Sequence, residues 1–128
     1  MSNILLVDDD VQLRELLTIM LTHDKHSVVA AENGAEAVKT YKSRKFDLVI
    51  TDILMPKQDG IETILALLEI DKKVPIIAMS GGRGAMLSSD FNLDSAKIIG
   101  ANAILKKPFT HGQLQEAITT AMNSPRHA

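Results

Sequence analysis

The chain contains no cysteine and no tryptophan, and its aromatic side chains amount to one tyrosine and three phenylalanines. Without cysteine there is no disulfide framework, no thiolate metal site and no cysteine nucleophile. Tyr41, Phe46, Phe91 and Phe109 are too few for the ring-stacking platform that single-stranded nucleic acids require. Long apolar runs are missing as well; the uninterrupted stretches are strand-sized and too short to span a bilayer. Basic residues gather no further than in short pairs such as Lys72-Lys73 and Lys106-Lys107, and 14 Lys plus Arg face 16 Asp plus Glu for a net charge of −2. Affinity for nucleic acid is dominated by neutralising phosphates, so direct nucleic-acid binding is not expected. A strand-like run starts at Asn3, which leaves no room for a signal peptide before it. The expectation is therefore a cytoplasmic protein that does not engage membranes.

What the chain does contain is the balance of a globular domain: 45% hydrophobic and 23% charged residues over 128 positions. That length supports one core of ordinary size. Two hydrophobic periods alternate along it. Asn3-Ile-Leu-Leu-Val7 is continuously apolar, as a parallel strand covered on both faces must be. Leu13, Leu16, Leu17, Met20 and Leu21 then recur at helical spacing. Ser27 to Ala31 reads as a second strand, followed by the turn signal Asn33-Gly34. Ala37, Val38 and Tyr41 mark a second helix. Phe46 to Asp52 is the third strand; Pro56 and Gly60 punctuate a loop, and Ile61, Ile64, Leu65 and Leu68 define a third helix. Pro75 to Met79 is the fourth strand and Ala103 to Leu105 a short fifth. Gly81-Gly82-Arg83-Gly84 predicts a mobile loop, with a short helix over Leu93 to Ile99. Thr110 with Gln113 is a capping-box signal for a last helix burying Leu114, Ile118 and Ala121.

Strand and helix alternate five times, which calls for a doubly wound five-stranded parallel sheet with helices on both faces. The flavodoxin-like strand order 2-1-3-4-5 is expected. No linker or second domain is visible; residues 1–123 read as one domain and 124–128 as a short tail.

Such sheets bind ligands beyond the carboxyl ends of their strands, where the strand order reverses. Asp8 and Asp9 follow strand one, Asp52 ends strand three, Ser80 ends strand four, and Lys106 and Lys107 end strand five. Three carboxylates and one lysine leave two negative charges in excess, and like charges held close are costly unless compensated. A divalent cation would offset them. With oxygen ligands alone, Mg²⁺ is favoured, and Mn²⁺ would also fit. A cation, a lysine, a hydroxyl and a carboxylate nucleophile together suit phosphoryl transfer. Asp10 reads as a cap for the first helix, Lys106 as a solvated lysine, and His23, His26, His111 and His127 as surface residues without metal spacing.

Taken in order, Val7-Asp8-Asp9-Asp10, Thr51-Asp52-Ile-Leu-Met-Pro56 with Asp59-Gly60, Met79-Ser80 and Lys107-Pro108-Phe109 resemble the receiver domain of two-component response regulators, with the chemotaxis-type single-domain receiver as nearest pattern. The resemblance spans nearly the whole chain. It implies that Asp52 is the phosphoacceptor, that Ser80 and Lys107 contact the phosphoryl group, and that Mg²⁺ is held by Asp9 and Asp52, by Asp8 through water, and by the backbone carbonyl of Leu54. It implies a cis bond at Lys107-Pro108. It also implies a phosphohistidine donor, from a sensor histidine kinase or a histidine phosphotransfer protein, and a downstream protein partner of unknown identity. The only reactions expected of such a chain are its own phosphorylation and dephosphorylation.

Three departures from the family pattern concern the readout. Ile104 stands three places before Lys107, where the family carries an aromatic switch residue. Ser80 and Lys107 are 27 positions apart, several more than usual. Gly81 and Gly82 follow Ser80 directly. Two other readings stay open at this point. One is a receiver-like interaction module that is never phosphorylated. The other is a Mg²⁺-dependent aspartyl phosphatase of the haloacid-dehalogenase kind, for which Asp8 and Asp10 fit but Gln12 does not. The surface formed by the Gly81–Ile99 region, the fifth strand and the last helix is the expected partner face.

Overall fold

A computed structural model describes residues 2–53, 60–81 and 93–124. Five parallel strands form one sheet: β1 (Asn3–Val7), β2 (Ser27–Ala31), β3 (Leu48–Asp52), β4 (Ile76–Ser80) and β5 (Ala103–Lys106). Their order is β2-β1-β3-β4-β5, the flavodoxin-like order expected. The helices are α1 (Val11–His23), α2 (Gly34–Ser43), α3 (Gly60–Ile70), α4 (Leu93–Ile99) and α5 (His111–Asn123).

The apolar strands serve two cores at once, because successive side chains point to opposite faces. Leu5, Val7, Val49, Ile76 and Ala78 pack with Ala37 and Tyr41 of α2, Ile64 and Leu67 of α3 and Ala96 of α4. Ile4, Leu6, Leu48, Ile50, Ile77 and Met79 pack with Leu17 and Leu21 of α1 and with Leu114, Ala117, Ile118 and Ala121 of α5. Full burial of each such Leu or Ile contributes about 1.5–3 kcal/mol, enough to hold the helices against the sheet.

Helix starts follow the capping residues. Asp10 accepts hydrogen bonds from the N–H groups of Gln12 (3.0 Å) and Leu13 (3.3 Å), a cap worth about 1 kcal/mol. Thr110 and Gln113 form the reciprocal capping box at the head of α5. Three sequence expectations change. Asn33-Gly34 is the beginning of α2, with Asn33 as its cap, rather than a turn. Gly60 belongs to the first turn of α3 rather than to a loop. Leu16, assigned to the apolar stripe of α1, is 52% exposed because the sheet covers only the side bearing Leu17 and Leu21. The glycine run beyond Gly81 lies outside the described residues, as do Pro56, Phe91 and His127. Among the described residues, no helix is long and apolar enough to cross a membrane.

Candidate metal and phosphoryl site

Strand order reverses between β1 and β3, and the register places Val7 opposite Thr51. One residue further on, Asp8 and Asp52 therefore leave adjacent strands side by side. Asp8 is fully buried and Asp52 is 5% exposed, whereas Asp9 is half-buried. One carboxylate oxygen from each of Asp8, Asp9 and Asp52 lies within 4.8 Å of the others. This is a cluster of hard oxygen ligands of the kind that suits Mg²⁺, Mn²⁺ or Ca²⁺ rather than a soft metal.

Lys107 enters from beyond β5. Its ammonium donates to Asp8 Oδ2 and Asp52 Oδ2, each at 2.9 Å. The backbone fixes that approach: the Lys107 N–H donates to the Ser80 carbonyl at 2.8 Å, extending the β4–β5 pairing past Lys106. A Cβ on Gly81, whose φ is +95°, would come within 2.9 Å of the Lys107 carbonyl, so a side chain there would meet backbone and an unfavourable dihedral together. The Lys107-Pro108 bond is cis, as the resemblance implied.

The electrostatics show what the site lacks. Burial raises the Asp8 carboxyl above its ordinary value, outweighing the Asp10 N–H and Lys107, which act in the opposite sense. For Lys107, burial disfavours the charge, but the hydrogen bonds and charges of Asp52 and Asp8 prevail and raise its pKa. Burial thus holds the proton on Asp8 and the two carboxylates hold it on Lys107, while three carboxylates against one ammonium leave positive charge in deficit. A dication would fill that deficit. Next to Asp52's strand partner Met79 stands Ser80, 1% exposed, and its Oγ has no hydrogen-bond partner among the described residues. A buried hydroxyl left unpaired costs about 1–3 kcal/mol, a cost that a bound acceptor such as a phosphoryl oxygen would relieve.

The fold thus brings Asp8, Asp9, Asp52, Ser80 and Lys107 to one edge of the sheet. Leu54 lies outside the described residues. Asp10 is engaged as the α1 cap, as expected, and does not join the cluster of Asp8, Asp9 and Asp52 among the described residues. Lys106 is exposed, as expected. Two polar arrangements were not read from the sequence. Arg14 donates to the Asp8 carbonyl at 2.8 Å. His111 pairs with Asp24 at 2.7 Å, with His23 beside the same carboxylate, so these histidines form a link between α1 and α5 rather than independent surface groups.

A parallel sheet of this order with acids and a lysine at its switch point defines a receiver class of protein. The response regulator receiver domain family matches residues 4–119, and the chain belongs to that family. It is 38% identical over 121 residues to the chemotaxis protein CheY of Bacillus subtilis, covering 94% of this chain and 97% of that protein. It is 36% identical to the transcriptional regulatory protein CpxR homolog of Haemophilus influenzae, covering 89% of this chain but 47% of that longer protein. A response regulator receiver domain structure from Clostridium thermocellum superposes with a TM-score of 0.83 at 27% identity, covering 96% of this chain and 95% of the other. The protein is thus a signalling switch module of two-component type.

Proposed function

We propose that Asp52 accepts a phosphoryl group from a phosphohistidine donor, with Asp8, Asp9 and Asp52 holding Mg²⁺ and Ser80 and Lys107 binding the phosphoryl oxygens. The observation that carries this reading is the division of one ammonium between Asp8 and Asp52 at equal distances of 2.9 Å. Such a lysine can leave Asp8 to follow charge that builds on Asp52. The resemblance adds the Leu54 carbonyl to the metal ligands. Mn²⁺ fits the same oxygen set.

The transfer is a displacement at phosphorus. A carboxylate oxygen of Asp52 forms the new P–O bond while the donor's P–N bond breaks, and the departing imidazole takes up a proton. Mg²⁺, when bound, supplies neutralisation of charge on the phosphoryl oxygens. The chain's own residues do the rest. Asp52 is presented at the end of β3, Lys107 pairs with the added negative charge, and the Ser80 hydroxyl, which has no partner among the described residues, gains an acceptor. Movement of Ser80 and Lys107 toward Asp52 would carry the signal into the loop after β4 and into β5. The expected output face is α4, β5 and α5, where Ile98 is 85% exposed and Ile104 half-buried. A histidine kinase or phosphotransfer protein on the input side and a protein effector on the output side complete the scheme, and the cytoplasm is its setting.

Mass spectrometry after incubation with acetyl phosphate and Mg²⁺ tests the reading. Wild type should gain one phosphoryl group and Asp52→Ala none. Failure of wild type to bind beryllofluoride with Mg²⁺ would favour the interaction module that is never phosphorylated.

A further inference from the structure

Arg14 occupies the fourth position of α1, with no acidic residue in the turn before it. A cation near a helix N-terminus meets the positive end of the helix dipole, so its placement calls for a compensating partner. The partner is the backbone carbonyl of Asp8, which accepts a hydrogen bond of 2.8 Å from an Arg14 guanidinium nitrogen. The helix thereby reaches back to the strand end from which it began.

The Asp8 peptide groups are held on every side. The Asp8 N–H donates to the Ala31 carbonyl at 3.1 Å, extending the β1–β2 ladder one residue beyond Val7. The Asp8 carboxylate accepts from the Asp10 N–H at 2.9 Å. The carbonyl held by Arg14 belongs to the planar peptide unit that leads into Asp9. Fixing that plane restricts the direction in which the Asp9 side chain leaves the backbone. Asp9 needs such help: it is the half-buried member of the cluster, and no hydrogen bond reaches its carboxylate from the described residues.

We infer that Arg14 is a positioning residue for the divalent cation, setting the affinity of the acidic cluster by orienting the Asp8–Asp9 peptide without touching the metal or the phosphoryl group. The inference rests on the metal-assisted reading proposed above. Its two physical consequences have opposite signs, which makes it decidable. As a charge, Arg14 beside a cluster in negative excess weakens the attraction for a dication. As a support for a ligand's backbone, it strengthens binding, and loss of such outer supports typically lowers metal affinity about 10–100-fold.

The experiment is a Mg²⁺ titration of the full chain without phosphodonor, followed by isothermal calorimetry and by ¹⁵N chemical shifts, for wild type, Arg14→Ala and Arg14→Lys. Arg14→Ala is expected to raise the Mg²⁺ Kd about tenfold, the low end of that range. Arg14→Lys, which keeps the charge but loses the planar fork, should raise it to a smaller extent. At saturating Mg²⁺, the phosphorylation rate with acetyl phosphate should match wild type in both variants, because no step of the transfer uses the guanidinium. Should Arg14→Ala bind Mg²⁺ as well as or better than wild type, the positioning role is overturned and Arg14 acts only as a charge. Should Arg14→Ala fail to fold, Arg14→Lys decides alone, and a wild-type Kd there overturns the inference. Wild type that does not bind Mg²⁺ would remove the metal site and this inference with it, a result distinct from either of the others.

Discussion

The Lys107 ammonium lies 2.9 Å from Asp8 Oδ2 and 2.9 Å from Asp52 Oδ2, closing contacts across 99 and 55 positions of the chain. Its side chain is 11% exposed and its two partners still less. Among the described residues Lys107 is the one lysine of this cluster, and removing it would take that counter-charge from the buried carboxylates. Lys107→Met is therefore expected to destabilise the metal-free protein by about 2 kcal/mol at neutral pH, below the cost of breaking a fully buried pair. The Lys107 pKa is raised above its ordinary 10.5. Its contribution is thus fully present below about pH 10.5 and is lost as the pH rises through the higher folded value. Urea unfolding at pH 7 and pH 11 checks this, because the gap between wild type and variant should narrow at the alkaline end.

Asp8 should behave in the opposite way. Its carboxyl is raised by burial, so the ionised form is a cost to the folded state at neutral pH. Asp8→Asn keeps the shape without the charge. In EDTA at pH 7 it is expected to melt above wild type, with the advantage shrinking as the pH falls through the raised folded value and gone below the ordinary 3.8, where the wild-type carboxyl is protonated in both states. The same variant should bind Mg²⁺ more weakly. A melting point below wild type in EDTA would contradict the assignment of a charge-strained site.

Gly60 tests how closely α3 abuts the proposed phosphoacceptor. A Cβ there would come within 2.0 Å of the Asp52 carbonyl oxygen and 2.3 Å of the Ile53 Cα. Alanine in place of glycine ordinarily favours a helix by about 1 kcal/mol. Here both obstacles are backbone atoms, and forcing them apart costs about 1–3 kcal/mol. Gly60→Ala is expected to lose stability in chemical denaturation and to slow phosphorylation at Asp52, since the strand end itself must shift.

The Asp24 link between α1 and α5 offers a separate pH test. The hydrogen bond with His111 is the chief cause that holds the Asp24 carboxyl below its ordinary 3.8. A depressed carboxylate contributes stability above its unfolded value and loses it as the pH falls through the folded one. Wild type should therefore exceed Asp24→Asn in melting temperature at pH 6, and the difference should shrink as the pH falls below 3.8 and through the depressed folded value. A difference that stays unchanged into acid would show that the contact with His111 does not stabilise the Asp24 carboxylate.

Much of this architecture was legible from local pattern. Continuous apolar runs such as Ile4 to Val7 announce strands covered on both faces, and Thr110 with Gln113 announces a helix start, because both depend on neighbouring residues alone. Asp8, Asp9, Asp52, Ser80 and Lys107 could be gathered because a parallel sheet collects its strand ends on one edge. Leu16 was misplaced because helical spacing specifies a stripe but not how much of it a sheet will cover. Gly60 carried a turn signal in the sequence, yet its purpose is a close approach to Asp52 that no local window contains.

The sequence by itself determined the order of elements, the edge at which chemistry can occur and the residue types available there, since periodicity and strand-end position are properties of the chain. Tertiary structure alone decided the partners: that Lys107 divides itself between two acids, that Ser80 is buried with a hydroxyl that finds no partner among the described residues, that Arg14 turns back to Asp8, and that His111 meets Asp24. These depend on angstrom-scale packing between segments far apart in the chain, where burial, rather than residue type, sets which charge must be answered and by what.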